Sequence, residues 1–493
     1  MPRACSRSCD RCYSIKERCS WVEGSSQCMR CSRLGFTCSK TRQAKKPGRR
    51  VLSAAALQTN RPNTRSTSVL PRAFPSAGQI NLIHHWMSNY ETFDRFLLGP
   101  AFWPRHCAAL MTHLEHSQSV LEHAYLASVL SATYSAENSR HTSQPPDGLS
   151  TVYRHASSAL RSLRELHVTD RQQASTCLVL GTNIMLFAMF QRPENVFTLC
   201  RQTLVLVRPV YDTIDGPDPE DFFFLTGTMM LEMVGSLIYG AVPALRFRSP
   251  KSPVYVDRYL GLSTSLLQLL HRVGELNSSL SVAVGPNVAV NPMASRGLDE
   301  LESTVLAWQP DVPESLCSVF SAVEIAHIFC QVQAMRLCAL LLIYRLKIPF
   351  GMHDTPARAI AISILTQLQT TLSVTGKAVK FAMLPVLVAC VELTTQTERD
   401  GWLSQVPELV CCSRAYGLFI QGAIRAFWTA RDAGVVFRGY NISRLDAPSM
   451  AQIRCPVERG SRGASARLHG ADRAITRDQL CGKMDMAMVS RVR

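Results

Sequence analysis

The sequence predicts two folded parts of different kinds: a small cysteine-rich domain with two short helices, and a large all-α body behind it. Three observations predict this division. Seven of the 18 cysteines fall between Cys5 and Cys38. Residues 1–50 hold 13 basic against 3 acidic residues, whereas residues 51–437 hold 29 of each. From about residue 79, apolar residues recur at helical spacing, and the 46% hydrophobic content is enough to bury a sizeable core.

Six of the cysteines form two triplets, and in each triplet two and then six residues separate the members: Cys9, Cys12 and Cys19, then Cys28, Cys31 and Cys38. The first ten residues lack the apolar segment of a signal peptide. We therefore do not expect the disulfides of a secreted protein here. A dense cysteine cluster in an intracellular protein is more typical of a metal site.

The number of cysteines predicts that some thiolates bind two metal ions at once. Zinc in structural sites takes four ligands, so two separate sites would need eight thiolates. Because the duplicated spacing indicates two zinc ions per chain and supplies six thiolates, two thiolates must be shared. This predicts a small zinc-dependent binuclear cluster domain within residues 1–50. Few apolar residues accompany the cysteines, so residues 1–45 are expected to be unfolded without zinc.

The six-cysteine spacing resembles that of the fungal zinc binuclear cluster DNA-binding domain, over roughly residues 5–50. The resemblance implies that the first and fourth cysteines, Cys9 and Cys28, bridge both metal ions. It also implies a basic helix after the second cysteine, with Lys16 directed into the major groove of double-stranded DNA toward a CGG-type triplet. A lysine suits that place because it donates to guanine O6 and N7.

The basic residues around the cluster are candidate DNA contacts. The sequence departs from the family pattern near Lys16, because Tyr13 and Ile15 stand where basic residues are usual. Contacts to phosphates position a domain without specifying sequence, and five arginines are candidates for them: Arg7, Arg11, Arg18, Arg30 and Arg33. A further basic group is interpreted as a nuclear-import signal, a phosphate-contacting arm or a plain charged linker: Lys45, Lys46, Arg49 and Arg50.

The rest of the chain divides into three segments by composition. Residues 51–78 contain three prolines among serine, threonine and asparagine, which predicts a flexible, disordered linker. Residues 79–437 predict an all-helical regulatory domain. Residues 438–493 hold 11 basic and 5 acidic residues and are rich in glycine and serine. They predict a basic, mostly disordered tail.

The helices of the body are predicted from apolar spacing. The clearest is Ala322–Ile348, which ends at Pro349. Another helix is expected to take Ser150 as its N-cap. An apolar stripe predicts a first helix in the region after residue 79: Leu82, Trp86, Tyr90, Phe93 and Leu97. Further helices are predicted at about 118–136, 171–213, 219–242, 257–275, 356–397 and 405–430.

Two apolar stretches raise the question of a membrane span. Thr176–Phe190 has only 15 residues, which is short for a span. Phe222–Val242 is long enough but contains Glu232, and a carboxylate is costly in lipid. Both are predicted to be buried helices, and no membrane partner is expected.

Together these features predict a nuclear, sequence-specific DNA-binding regulator of RNA polymerase II genes, with the transcription machinery as a further partner. The resemblance implies a fungal source and a pathway-specific regulator, for example of a secondary-metabolite gene cluster. No heptad pattern follows the cysteines, so two hypotheses stay open: a homodimer formed through the helical body, and a monomer that binds a single triplet. No nucleotide-binding loop, zinc-protease motif or nucleophile elbow occurs, so an enzyme is not expected. The alternative hypothesis is a metabolite-sensing regulator whose helical body binds a small-molecule inducer.

Overall fold

The computed structural model divides the chain into two units, residues 1–73 and 74–493. The structure describes residues 8–14, 19–21, 25–39, 77–138, 147–215, 217–250, 255–282, 292–435 and 438–440. Residues 51–76 of the linker predicted at 51–78 and residues 441–493 of the tail predicted at 438–493 lie outside these residues, whereas residues 77 and 78 of the predicted linker belong to the first helix of the body.

The N-terminal unit contains two helices of five residues each, α1 (Asp10–Ser14) and α2 (Met29–Arg33). Its extended segments meet in one isolated bridge, between Trp21 and Cys28. Its buried cluster consists of cysteines, with Trp21 packed beside them. The described part of this unit is therefore consistent with the prediction of two short helices and few apolar core residues.

The second unit is built from helices, and the described residues contain no strand. Two single 3₁₀ turns, Pro100–Phe102 and Pro193–Asn195, precede α5 and α8. The helices are α3 (Ala77–Ser88), α4 (Tyr90–Phe93), α5 (Trp103–Asn138), α6 (Asp147–Glu165), α7 (Arg171–Gln191), α8 (Val196–Tyr211), α9 (Leu225–Tyr239), α10 (Leu266–Val282), α11 (Pro292–Ala307), α12 (Leu316–Val319), α13 (Ala322–Lys347), α14 (Asp354–Thr375), α15 (Met383–Val391), α16 (Gln396–Leu409) and α17 (Arg414–Asp432). The predicted all-α body is confirmed.

Two long helices organise the core of the body. Helix α7 is buried from Ala174 to Phe190 and packs against α5, α6, α8 and α17. Its approach to α8 is close, because a Cβ atom at Gly181 would lie 2.2 Å from the Thr203 hydroxyl. Helix α13 packs against α10, α11, α14 and α15. One continuous apolar core connects these layers.

Local signals set the ends of α13 as predicted. Ser321 and Glu324 form a capping box, in which each side chain accepts a hydrogen bond from the other residue's backbone N–H. The helix ends at Lys347, just before Pro349. The residue preceding a proline is disfavoured in helical geometry, which explains the end at this position.

Several other helix boundaries differ from the predictions. The segment 171–213 is two helices, because Arg192 leaves helical geometry (φ −149°, ψ 63°) immediately before Pro193. The segment 356–397 is also two helices, interrupted by Gly376 at φ 70° and Phe381 at φ 52°. The segment 405–430 spans the end of α16 and most of α17, whose N-cap is Ser413.

Two further predictions need correction, and one helix was missed. The helix expected to start at Ser150 begins at Asp147, so Ser150 lies inside it. The predicted helix at 257–275 starts later, at Leu266, because a buried turn at Asp257 occupies its first residues. Helix α11 was not predicted. Its buried residues Leu298, Leu301 and Val305 recur at helical spacing, so the sequence carried a signal that was missed.

Two helices, α7 and α13, are long and apolar enough to cross a membrane. Neighbouring helices bury 94% of the apolar window of α7 and 56% of that of α13. Helix α9, within the second apolar stretch noted above, is also buried, and Glu232 pairs there with Arg201 at 3.0 Å. This burial is what core helices show.

The predicted start of the tail, residue 438, is wrong, because the folded body extends at least to residue 440. Tyr440 is completely buried in the body, and its hydroxyl donates to Glu392 at 2.6 Å. Glu392 also accepts from buried Arg345, whose Nη2 lies 2.5 Å from the Glu392 carboxylate and 2.7 Å from Asp354. Residues 438–440 therefore complete a buried ionic cluster of the body.

Candidate metal centre

The two cysteine triplets occupy equivalent places in the N-terminal unit. Cys9 and Cys28 immediately precede α1 and α2, and each accepts a hydrogen bond on sulfur from the backbone N–H three residues later. Those donors belong to Cys12 and Cys31, both at 3.4 Å from the accepting sulfur. The first cysteine of each triplet thus serves as the N-cap of a short helix that carries the second.

The sulfur of the third cysteine in each triplet accepts a hydrogen bond from the backbone of the first. Cys9 N–H donates to the sulfur of Cys19 at 3.3 Å, and Cys28 N–H donates to the sulfur of Cys38 at 3.4 Å.

Two backbone bonds then cross between the halves. Asp10 N–H donates to Ser39 O, and Met29 N–H donates to Ser20 O, both at 2.9 Å. The sequence duplication is therefore also a structural duplication, in which each half closes on itself and ties to the other.

The six sulfurs form two groups of four. One group is Cys9, Cys12, Cys19 and Cys28, and the other is Cys9, Cys28, Cys31 and Cys38. Within each group the sulfurs lie within 4.8 Å of one another. The groups share two members, Cys9 and Cys28, whose sulfurs are 3.7 Å apart. These are the two positions at which the family resemblance implies bridging.

The sulfur separations fit zinc. The sulfur of Cys9 is 3.8 Å from that of Cys31, and the sulfur of Cys12 is 3.8 Å from that of Cys28. Four thiolates at about 2.3 Å from a tetrahedral zinc are separated by about 3.8 Å. Zinc bound there would cross-link the two halves through thiolates and supply folding energy. Both groups could hold a metal ion, compatible with zinc.

Hydrogen bonds to sulfur favour the thiolate at the two shared positions. At Cys28, the N–H of Cys31 is the main cause that lowers the pKa to about 6, and it prevails over burial. At Cys9, burial acts to raise the pKa, but the Cys12 N–H and neighbouring thiols lower it overall. Burial instead raises the pKa of Cys31 to about 12, and it raises that of Cys12 as well. The deprotonated form, which binds metal, is thus most favoured at the shared sulfurs.

Three of the candidate DNA-contact residues are described by the structure. Arg11 is exposed on α1, and its guanidinium carbon lies 3.5 Å from the ring centroid of Phe36, in the other half of the unit. Arg33 is exposed on α2, and Arg30 is half-buried there. The other candidates lie outside the described residues: Arg7, Lys16, Arg18, Lys45, Lys46, Arg49 and Arg50.

The comparisons with known proteins identify the body. A family model described as a fungal specific transcription factor domain matches residues 104–440, more than half of the chain. The chain therefore belongs to this family and is a fungal transcription regulator. Family membership implies a nuclear role and favours a non-enzymatic function. No curated protein and no solved structure matches the chain.

One other feature of the body could not be predicted from the sequence, a cavity lined by His106 and Tyr259. These residues are 153 positions apart and belong to no motif. Only the fold brings them together.

Proposed function

We propose that this protein is a sequence-specific DNA-binding regulator of RNA polymerase II genes, whose N-terminal unit binds DNA only when it holds two zinc ions. The observation that carries the proposal is the pair of four-thiol groups that share Cys9 and Cys28. Six cysteines arranged in this way provide two complete tetrahedral ligand sets. The resemblance to the fungal zinc binuclear cluster domain supplies the link from this metal centre to DNA.

Charge and location support the DNA-binding role. The first 50 residues carry 13 basic and 3 acidic residues, and such an excess attracts a polyanion. Arg11, exposed and stacked on Phe36, presents a positive charge beside the metal centre. By the resemblance, Lys16 contacts the bases of a CGG-type triplet, and the arginines and the basic run from Lys45 contact phosphates.

The test is selection of duplexes from a random pool by the full-length protein, with zinc and with a chelator. Wild type is expected to enrich a CGG-like triplet in zinc and nothing in chelator. Lys16→Ala is expected to relax the selected sequence, because it removes a donor to guanine. Lys377→Ala, which changes an ion-paired lysine of the body, is the matched control and should select as wild type does. Zinc-independent binding with no enriched sequence would contradict the proposal.

The regulator is further proposed to act in the nucleus on a specific pathway, such as a secondary-metabolite gene cluster, and to bind paired triplets as a homodimer formed through the helical body. Sedimentation of the full-length protein at micromolar concentration tests the dimer. A sedimentation coefficient of a monomer under these conditions would contradict it.

A further inference from the structure

Helix α13 exposes apolar side chains on the side that points away from the core. Val323 is 46% exposed and Phe329 is 42% exposed, and Ala322 and Ala326 are exposed beside them. The outward side of a helix in a globular protein ordinarily carries polar and charged residues. Single exposed apolar residues need no explanation, but a continuous apolar surface indicates a place that another molecule covers.

The exposed residues belong to a longer row along one side of α13. The first four members are exposed and the last three are half-buried: Ala322, Ala326, Phe329, Gln333, Leu337, Leu340 and Tyr344. At about 100° of rotation per residue, all of them lie within about 80° of arc, and together they form the α13 face. Successive members are 4, 3, 4, 4, 3 and 4 residues apart. This order reads the same in both directions, with Gln333 at its centre.

A row with this symmetry is complementary to a second copy of itself. When two such helices pack antiparallel about a twofold axis at Gln333, residues equally far from the axis face each other. The facing pairs are Phe329 with Leu337, Ala326 with Leu340, and Ala322 with Tyr344. Each alanine thus meets a large side chain, which is the alternation that lets facing helices interdigitate. The two Gln333 amides meet at the axis, where each can both donate and accept a hydrogen bond.

The distribution of charge also favours a second copy. Near a twofold axis a charged residue meets its own like charge, which opposes association. The α13 face contains no charged residue. The charged residues of 322–375 are buried, ion-paired or hydrogen-bonded to the backbone: Glu324, Arg336, Arg345, Lys347, Asp354 and Arg358. The core of a homodimer interface is depleted of charge in the same way.

Helix α14 widens this uncharged surface. It lies beside the α13 face, where the thiol of Cys330 donates to Gln367 O of α14 at 3.7 Å. The exposed residues of α14 from 359 to 374 are also uncharged: Ala359, Thr366, Thr370, Ser373 and Val374. Two helices of about 22 residues cover a surface about 33 Å long and about 20 Å wide, or roughly 650 Å² per copy. A stable interface takes about 800 Å² from each partner, so this surface is of comparable size.

We propose that a second copy of this chain binds here, with the α13 faces of two protomers packed antiparallel around Gln333. The proposal rests on the homodimer included in the proposed function and identifies its surface. An uncharged surface fits a second copy better than it fits a partner recognised by charge, such as an acidic segment or DNA. Each protomer contributes one N-terminal unit, so one dimer carries the two DNA-binding units that paired triplets require.

The test uses the position of Gln333 on the axis. Sedimentation equilibrium of the full-length zinc-loaded protein, at neutral pH and low salt, measures self-association. Gln333→Glu places two carboxylates at the axis and Gln333→Lys places two ammonium groups there. Each variant alone is therefore expected to raise the dimer dissociation constant at least about tenfold. An equimolar mixture of the two variants is expected to restore dimers, because opposite charges then meet. Both substitutions place good helix formers at an exposed position, so the fold should be kept.

The matched controls are Gln172→Glu and Gln172→Lys, because Gln172 is exposed near the start of α7, outside the α13 face. Neither control should change association, alone or mixed. A wild-type dimer that neither Gln333 variant weakens would overturn the inference and leave the proposed homodimer standing. So would Gln333 variants whose mixture associates no better than each alone. A monomeric wild type would overturn both proposals and assign the face to a different protein. The DNA-selection experiment does not depend on any of these results.

Discussion

The two units of this protein are held together by different means. Among the described residues of the N-terminal unit the buried side chains are cysteines, while Leu34 and Phe36 are exposed. In the body, one apolar core runs through nearly all the helices, and the thiol of Cys338, for example, is simply part of it. The same residue type is thus a candidate metal ligand in one unit and part of the apolar packing in the other.

The spacing of the cysteines, more than their number, distinguishes candidate metal ligands from cysteines that pack in an apolar core. In each triplet two residues separate the first two cysteines, and the repeat of this spacing brings the sulfurs of each four-thiol group within 4.8 Å of one another. Cysteines scattered through helices remain isolated by their neighbours, and burial raises the pKa of Cys177 and Cys390 to about 12. Burial raises the pKa of Cys31 to about 12 as well, so it is the grouping of the sulfurs, and not the pKa, that distinguishes the candidate metal ligands.

Metal removal should produce the largest difference in stability between the two units. Addition of a zinc chelator is expected to unfold the N-terminal unit and abolish specific DNA binding, because the described residues of that unit bury cysteines and form no separate apolar core that would keep it folded. The cooperative thermal unfolding of the helical body, followed by circular dichroism at helical wavelengths, should be unchanged. If the helical body also unfolded when zinc was removed, the conclusion that the two units are stabilised independently would be wrong.

A substitution in the buried ionic cluster should destabilise the body and leave the N-terminal unit unchanged. Glu392→Gln removes the charge that faces Arg345, both side chains being fully buried. Breaking a buried ion pair typically costs 3–5 kcal/mol, and since Asp354 remains as a second partner of Arg345 we expect about 3 kcal/mol. Urea unfolding measures the loss, and zinc content should not change. Asp212→Asn, in an exposed pair with Arg208, is the control and should have little effect.

The stability of the body should also fall in mild acid. Nδ1 of His155 lies 2.9 Å from Nδ1 of His123, and burial, with the charges of His123 and Arg154, lowers the pKa of His155 to about 4. The unfolded state, with a pKa of about 6.5, therefore binds the proton first. This stability is complete above about pH 6.5 and is lost as the pH falls toward 4.

Replacing His155 should flatten this dependence. His155→Gln is expected to reduce the loss between pH 7 and pH 5 by about 1 kcal/mol, a value discounted for partial solvent access. Urea unfolding at the two pH values measures it. An unchanged slope in the variant would show that other groups cause the acid sensitivity.

The smallest expected effect concerns a single charge on the N-terminal unit. Arg11→Gln should weaken DNA binding equally for all sequences and reduce the slope of log affinity against log salt by about 1, as for one lost phosphate contact. Phe36→Leu keeps the charge but removes the ring under Arg11, so its slope should match wild type. An unchanged slope in Arg11→Gln would assign Arg11 to packing alone.

Local patterns account for what could be predicted. The triplet spacing is a property of a few adjacent residues, and so is the capping of α13 by Ser321 and Glu324. The break at Arg192 was missed because apolar spacing continues across it, although Pro193 carried the signal. The burial of Tyr440 was invisible because its partner, Glu392, is 48 residues away. His106 and Tyr259 could not be paired for the same reason.

The sharing of Cys9 and Cys28 by two zinc ions can be tested by the zinc content of the full-length protein, measured by native mass spectrometry. Wild type is expected to hold two zinc ions. Cys19→Ser removes a ligand from one four-thiol group and should leave about one, whereas Cys28→Ser removes a ligand from both groups and should leave none. A wild-type protein with a single zinc ion, or a Cys28→Ser variant that retains as much zinc as Cys19→Ser, would contradict the shared arrangement.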